Sequence, residues 1–435
     1  MDKIVALCKR RGFIYPGSEI YGGLAGTWDY GPAGSLLKKN LKDLWWKQIV
    51  QMRDDMVGVD AAIMMNPRAW EASGHVEAFT DPLIECKVCH KRFRADKPED
   101  IKEHETLGHK VEGKTVKIEW TEPKTFNLLV EAKLGVVEGD QQTIYLRGEI
   151  TNGVQVNFKN VLDSTRVKIP FGIAQIGKAF RNEITPGNFT FRSREFEQME
   201  TQFYTHPEAS EDWYENWKQN RMDFYLSLGV NKDKLRFKDH DPEKRAHYAK
   251  AAVDIEYEYP WGWDEVMGIH NRGDWDLRRH TEYSGQDLKY RDLETNEEYI
   301  PYDIETSAGV DRSILVLLVD SYTEADGRLF LKLHPSIAPY KVAVFPLLAN
   351  KPELIDKAKG IYEDLKKEFM TAWDARGNIG KRYASQDEVG TPFCITVDFD
   401  TLNDGAVTVR DRDSATQERI QIDSLKDYLR NKIYG

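Results

Sequence analysis

Cysteine is scarce: four in 435 residues, Cys8, Cys86, Cys89 and Cys394. So few thiols make no disulfide framework and fit a reducing cytosol, while the close pair points towards a metal. Positive charge is not in excess either. The formal net charge of −11 removes a surface that attracts nucleic acid everywhere, although a local basic patch on an acidic protein still binds phosphates. Long apolar runs are missing. The longest aliphatic run, Ile314 to Val319, is far too short to span a bilayer, and the opening MDKIVALCKRRG has too short an apolar stretch for a secretory signal. A cytoplasmic chain with no membrane partner is expected. There is no internal repeat and no low-complexity tract. A P-loop is also missing, despite a near match at Gly172-Ile-Ala-Gln-Ile-Gly177-Lys178-Ala179. Ala179 stands where the magnesium-binding hydroxyl belongs, and no βαβ unit surrounds it.

What remains is an ordinary globular composition, long enough for two or three domains. Residues 33–56 carry Leu36, Leu37, Leu41, Leu44, Trp45, Ile49 and Met52 largely at helical spacing, which predicts a long amphipathic helix. MVGVDAAIMMNP after it reads as an apolar strand closed by Pro67. Residues 86–125, charged and bearing Cys and His, read as an inserted module. TIYLRGEI and VQVNFKN read as strands, residues 209–229 as a helix, and DIEYEYPWGWDEVMGI as a strand pair. ETSAGVDRSILVLLVDSY predicts a strand running into an apolar helix. LHPSIAPYK is a linker bracketed by Pro335 and Pro339. It divides a large domain, 1–334, from a small α/β domain, 335–435, with a βαβ pattern.

FRNEITPGNFTFRSREFEQME, residues 180–200, is dense in Arg, Glu and Phe around a Thr185-Pro186-Gly187-Asn188 turn. Strand alternation puts Arg192, Arg194, Phe196, Gln198 and Glu200 on one face and Phe191, Ser193, Glu195, Glu197 and Met199 on the other. Arg181 and Glu183 share a face of the incoming strand. Guanidinium forks suit phosphate oxygens, a phenyl face suits a purine, and carboxylates suit an amine or α-ammonium. These are the parts for binding ATP beside an amino acid. A charged, exposed hairpin with cross-strand ion pairs is the bland alternative.

A second fragment, Gly309-Val310-Asp311-Arg312, decides between them, because here the sequence resembles the class II aminoacyl-tRNA synthetases. Their second motif matches Arg181, Glu183, Arg192 and Phe196. Their third matches the strand into Arg312, and their first ends at Pro67. Finer detail resembles the glycyl-tRNA synthetases of the homodimeric type, through YPGSEIYGGLAGTWDYGPAG, WEASGHVEAFTDPL, TEPKTFNLLV, the hairpin and ETSAGVDRS; VTVRDRDSATQERI resembles that family's anticodon-binding domain. One departure is local: RGEITNG at Arg147–Gly153 stands where the family usually shows RPETAQG.

The resemblance implies an α+β fold. An antiparallel sheet flanked by helices is followed by a C-terminal α/β anticodon-binding domain. It implies ligation of glycine to tRNA(Gly) through a glycyl adenylate, with ATP and Mg²⁺, in a homodimer built on the helix at 33–56 and the strand after it. Arg181 would hold the α-phosphate and Arg192 the γ-phosphate. Phe196 and Arg312 would sandwich the adenine, with Glu183 and Glu265 near the adenine or the metal. Asn182, Phe191, Val266 and Gly309 complete the implied ATP site. Glu149, Glu200 and Glu305 would take the ammonium group, with Arg94, Gln198 and Ser307 as further substrate contacts. Arg376, Lys381 and Arg382, in a Gly-containing loop, are candidates for reading tRNA bases. The alternative is a synthetase-like nucleic-acid-binding subunit without catalysis, which should have lost the motif arginines.

Cys86-x-x-Cys89 followed by His104-x-x-x-x-His109 fits a two-cysteine, two-histidine Zn²⁺ site. The histidines rest on spacing alone, and His90 is the rival ligand. Four ligands leave no open position, so such a zinc would be structural.

Overall fold

A computed structural model describes residues 1–435 except 97, 112–113, 138, 140 and 242–248. Its centre is a seven-stranded sheet. The strands are β1 Met56–Gly58, β2 Phe171–Phe180, β3 Glu195–Thr205, β4 Leu235–Asp239, β5 Ala251–Tyr259, β6 Gly262–Gly273 and β7 Tyr302–Gly309. They lie in the order β4-β5-β6-β7-β3-β2-β1, antiparallel throughout except for β1 against β2. This is the antiparallel sheet that the resemblance implies. Helices α2 Ser210–Ser227 and α3 Val310–Ser321 pack against it, and α1 Pro32–Trp46 packs on α3. Leu37, Leu41 and Trp45, four residues apart on α1, are fully buried with Trp217 of α2 and Ile314 of α3, so the helical period makes the core. Gly172 to Ala179 lie inside β2, which removes the P-loop.

Three expectations are corrected here. Regular α-helix ends at Trp46, a π-helical turn follows over Lys47–Gln51, and Met56 opens β1, so the helix does not run to 56. The strand after it is only Met56–Gly58, and Pro67 starts a short helix, Pro67–Ala72, whose first turn is capped by Asn66 accepting from the Arg68 N–H at 3.0 Å. Proline at the first helical position loses no hydrogen bond. VQVNFKN is helical, spread over Thr151–Gln155 and Phe158–Ser164. Val154, Phe158 and Val161 are buried; their i, i+4, i+7 spacing outweighs the β-branched composition.

Beyond the linker, a five-stranded sheet is built from β8 Val342–Pro346, β9 Thr371–Trp373, β10 Phe393–Val397, β11 Ala406–Asp411 and β12 Gln417–Gln421, in the order β9-β8-β10-β11-β12. Helices α4 Pro352–Leu365, α5 Ile379–Val389 and α6 Leu425–Tyr434 accompany it, with a separate apolar core around Val344, Ile395, Leu354 and Leu429. Ion pairs tie this part to the rest: Arg328 to Asp387 at 3.0 Å, and Arg10 and Arg11 to Glu388 at 2.8 and 2.7 Å. Among the described residues no helix is long and apolar enough to cross a membrane.

Candidate active site

Strands β3, β6 and β7 and the start of α3 wall a pocket on one face of the large sheet. The residues around it include Glu149, Arg181, Glu183, Phe191, Arg192, Phe196, Gln198, Glu200, Glu265, Glu305, Ser307, Gly309 and Arg312. Thirteen of the sixteen positions expected for ATP and substrate therefore converge. Alternation delivers Phe196, Gln198 and Glu200 from β3, as the sequence predicts. It fails before Glu195. There the chain leaves the sheet, and Phe189–Phe191 form a 3₁₀ turn entered through Asn188 and Phe189 at φ 52° and 59°. Positive φ is costly for a phenylalanine, and the edge of Phe189 is held against Trp28 at 4.7 Å between ring centroids. The turn brings Phe191 and Arg192 both into the pocket. Arg194 turns away instead, donating to the Glu183 carbonyl at 2.9 Å and the Ala25 carbonyl at 3.1 Å.

One end of the pocket is cationic and aromatic. The Arg312 guanidinium lies 4.3 Å from the centre of the Phe191 ring, donates to the Phe191 carbonyl at 3.1 Å and pairs with Glu265 at 3.1 Å. Arg181 sits over Phe196 at 5.3 Å and donates to the Gly148 carbonyl at 3.0 Å. Backbone bonds and rings thus hold these side chains extended, with donors left for a ligand.

The other end holds three carboxyls, Glu200 and Glu305 buried and Glu149 partly so. Burial would raise Glu305, but Arg272 and His270 outweigh it and keep its carboxyl well below the usual range. Burial likewise opposes ionisation of Glu149, and His75, at 3.3 Å, overcomes it. Glu200 is different: burial first, then the charges of Glu305 and Glu149, push it up to about 8. Burial, with two neighbouring carboxylates, therefore favours the protonated form of the third. Glu200 is bound by Ser307 Oγ at 2.5 Å and by the Gln198 amide at 2.9 Å. Gln198 Oε1 is buried and has no partner among the described residues, an acceptor suited to an N–H donor.

Sequence reasoning missed Thr151, His75, His270 and Arg272. Thr151 Oγ1 lies 2.9 Å from Glu200 and 3.0 Å from Glu305. It belongs to the departing RGEITNG segment, which was the available signal. Three expected residues are not on the pocket wall. Arg94 is taken by Asp81 at 2.8 Å and Asp96 at 2.7 Å. Asn182 is exposed, its N–H given to the Leu128 carbonyl at 2.8 Å, and Val266 is buried in the core behind the sheet. Arg382, offered for tRNA, is 2% exposed in the first turn of α5; its guanidinium donates to the carbonyls of Pro346, Arg376, Ala375 and Gly377, so it cannot read a base. Lys381 also lies on α5, not in a loop.

In the inserted module, ligand atoms of Cys86, Cys89, His104 and His109 all lie within 4.8 Å of one another. Cys89 Sγ is 3.6 Å and His109 Nε2 2.9 Å from His104 Nε2. His90 is exposed and pairs with Glu85 at 2.9 Å.

Residues 136–321 match the tRNA synthetase class II core domain (G, H, P, S and T) family, and residues 341–432 match the anticodon binding domain family. Over its whole length the chain is 51% identical to the glycine--tRNA ligase of Borreliella burgdorferi, covering 97% of that protein. It is 51% identical to the glycine--tRNA ligase of Caldanaerobacter subterraneus and 52% to that of Geobacillus kaustophilus, covering 98% and 99% of them.

Proposed function

The chain belongs to the glycine--tRNA ligases, class II synthetases with an anticodon-binding domain, and from that premise we infer what its pocket does: it activates glycine with ATP and passes it to tRNA(Gly). The observation that carries this reading is the meeting of three arginines, Arg181, Arg192 and Arg312, with three glutamates, Glu149, Glu200 and Glu305, in one pocket. A subunit without catalysis would have no use for that set, and the reading as a non-catalytic binding subunit has no support.

In this reading Arg181 and Arg192 hold the triphosphate, and Phe196 and Arg312 clasp the adenine. Fixed guanidinium groups stabilise the charge that develops at phosphorus and on the leaving pyrophosphate, where positioning and preorganised charge supply most of the rate. Glu183 and Glu265 are the wall carboxylates that would hold Mg²⁺, and the ion neutralises phosphate charge. Glu149, Glu200 and Glu305 take the α-ammonium. With the walls crowded by carboxyls, Thr151, Gln198 and Ser307, a larger side chain has no room.

The same reading assigns catalysis to residues 1–334 and anticodon binding to 335–435, in the cytoplasm. Arg376 and Lys381 remain candidates for tRNA contact. Zn²⁺ would sit on Cys86, Cys89, His104 and His109. Two imidazole nitrogens 2.9 Å apart beside two thiols suit a tetrahedral ion better than they suit each other. A homodimer is proposed too, but the apolar face of α1 is spent inside its own chain. The second copy would instead meet exposed side chains such as Met52 and Met64.

Exchange of pyrophosphate into ATP, run with each amino acid and Mg²⁺, tests the activation step. Exchange with glycine alone is expected. Exchange with another amino acid would overturn the pocket logic, and none at all would return weight to a binding subunit.

A further inference from the structure

A second cluster of metal-ligating side chains stands on the same sheet face, beyond Glu305. His240 follows β4, Asp254 is on β5 and His270 on β6. The ladder places them together. His240 continues the pairing of β4, its N–H donating to the Ala252 carbonyl at 3.0 Å. Ala252 pairs with His270, Asp254 with Gly268, and His270 with Glu305. Cross-strand partners and residues two apart share a face, so all three side chains rise on one side. The residues between them, Ala252 and Gly268, are small. A Cβ at Gly268 would come within 2.8 Å of His270 Cε1 and 3.6 Å of Asp254 Oδ1. Glycine is therefore what keeps the three groups in a shared hollow.

Ligand atoms of His240, Asp254 and His270 lie within 4.8 Å of one another, with His240 Nε2 2.8 Å from Asp254 Oδ2. His270 uses Nδ1 towards Glu305 at 2.8 Å. That bond fixes the tautomer with the lone pair on Nε2, the carboxylate–histidine arrangement that orients metal-bound imidazoles. The Asp254 carboxylate, moreover, sits in the field of Glu265, an arrangement a cation relieves.

We propose that His240, Asp254 and His270 bind a divalent transition-metal ion of the zinc class at the edge of the active-site pocket, separate from the cysteine module. Two imidazoles and one carboxylate suit Zn²⁺ or Co²⁺, whereas Mg²⁺ and Ca²⁺ prefer oxygen ligands throughout. Three protein ligands leave a further position for water. The ion would tie β4, β5 and β6 together behind Glu305 and hold His270 as its donor.

The test is metal content and the Co²⁺ spectrum of the full-length chain. Cys86→Ser/Cys89→Ser, which removes the thiolate site, should still bind one Co²⁺, giving d–d absorption without thiolate charge transfer. Adding His240→Ala or Asp254→Asn should abolish that band and one equivalent of zinc. Gly268→Ala, with all three ligands retained, should do the same. Absence of any d–d band in the folded cysteine variant, or metal content unchanged by His240→Ala, overturns the proposal.

Discussion

Glu200 and Glu305 are bridged by a single hydroxyl, Thr151 Oγ1, at 2.9 and 3.0 Å. One hydroxyl carries one proton, so it cannot donate to both. Because Glu305 is held ionised and Glu200 is raised, the consistent arrangement is Glu200 donating to Thr151 and Thr151 donating to Glu305.

Removing the bridge should weaken glycine binding without touching ATP. A hydrogen bond to a charged group is worth about 1.5–3 kcal/mol, so Thr151→Ala should raise the glycine KM by roughly 10- to 100-fold. Thr151→Ser, which restores the hydroxyl, should recover most of it. Glycine and ATP KM values from pyrophosphate exchange check this; an equal rise in both would assign Thr151 to general packing.

The Glu200 carboxyl, pushed up to about 8, sets a pH dependence with a definite sign. The folded chain holds a proton there that the unfolded chain has lost above its ordinary carboxyl pKa of about 4.3. Stability from this group is therefore present at low pH and falls as pH rises towards 8. Glycine acts in the opposite sense, since its ammonium favours the ionised carboxyl. Glycine KM should fall as pH rises from about 6 to about 8, with a proton released on binding below that point. Calorimetric titration of glycine in buffers of different ionisation enthalpy measures the proton, and Glu200→Gln should abolish its release.

Legibility followed distance along the chain. Phe196, Gln198 and Glu200 could be read from alternation because β3 is regular. Phe191 and Arg192 could not, because a 3₁₀ turn with positive φ replaces the strand there, and nothing in a period of two announces it. Gly309 and Arg312 were legible through motif resemblance. His270 and Arg272 were not, since their role depends on β6 lying beside β7, a pairing made between segments far apart. Val154 and Phe158 misled in another way: β-branched and aromatic residues suggested strand, and burial at helical spacing decided otherwise.

Asp311 should prove the anchor between the hairpin and α3. Its carboxylate accepts from Tyr30 at 2.6 Å, Lys38 at 2.8 Å and the Glu197 N–H at 2.7 Å. Asp311→Ala leaves the nearly buried Lys38 ammonium with only Glu197, 3.2 Å away, as its ionic partner among the described residues. Breaking a buried pair costs about 3–5 kcal/mol when one partner is removed, and the remaining Glu197 contact places this case at the lower end. Urea denaturation measures it; a change under about 1 kcal/mol would make the pair no stronger than a surface one.

Arg376 and Arg382 are six residues apart and should behave oppositely. The Arg382 side chain is buried, its donors spent on four backbone carbonyls. Arg376 has a side chain 94% exposed. Arg382→Ala strands those carbonyls and opens a cavity, so it should destabilise the chain by about 2–4 kcal/mol. Arg382→Lys should restore little of that, because an ammonium cannot reproduce the planar fork. Arg376→Ala should leave the melting temperature unchanged. If Arg376 meets tRNA, its loss should raise the tRNA KM while pyrophosphate exchange, which needs no tRNA, stays at the wild-type rate. Thermal melting and aminoacylation of both variants separate the two roles, and a stable Arg382→Ala chain with a selective tRNA defect would contradict the assignment of Arg382 to the core.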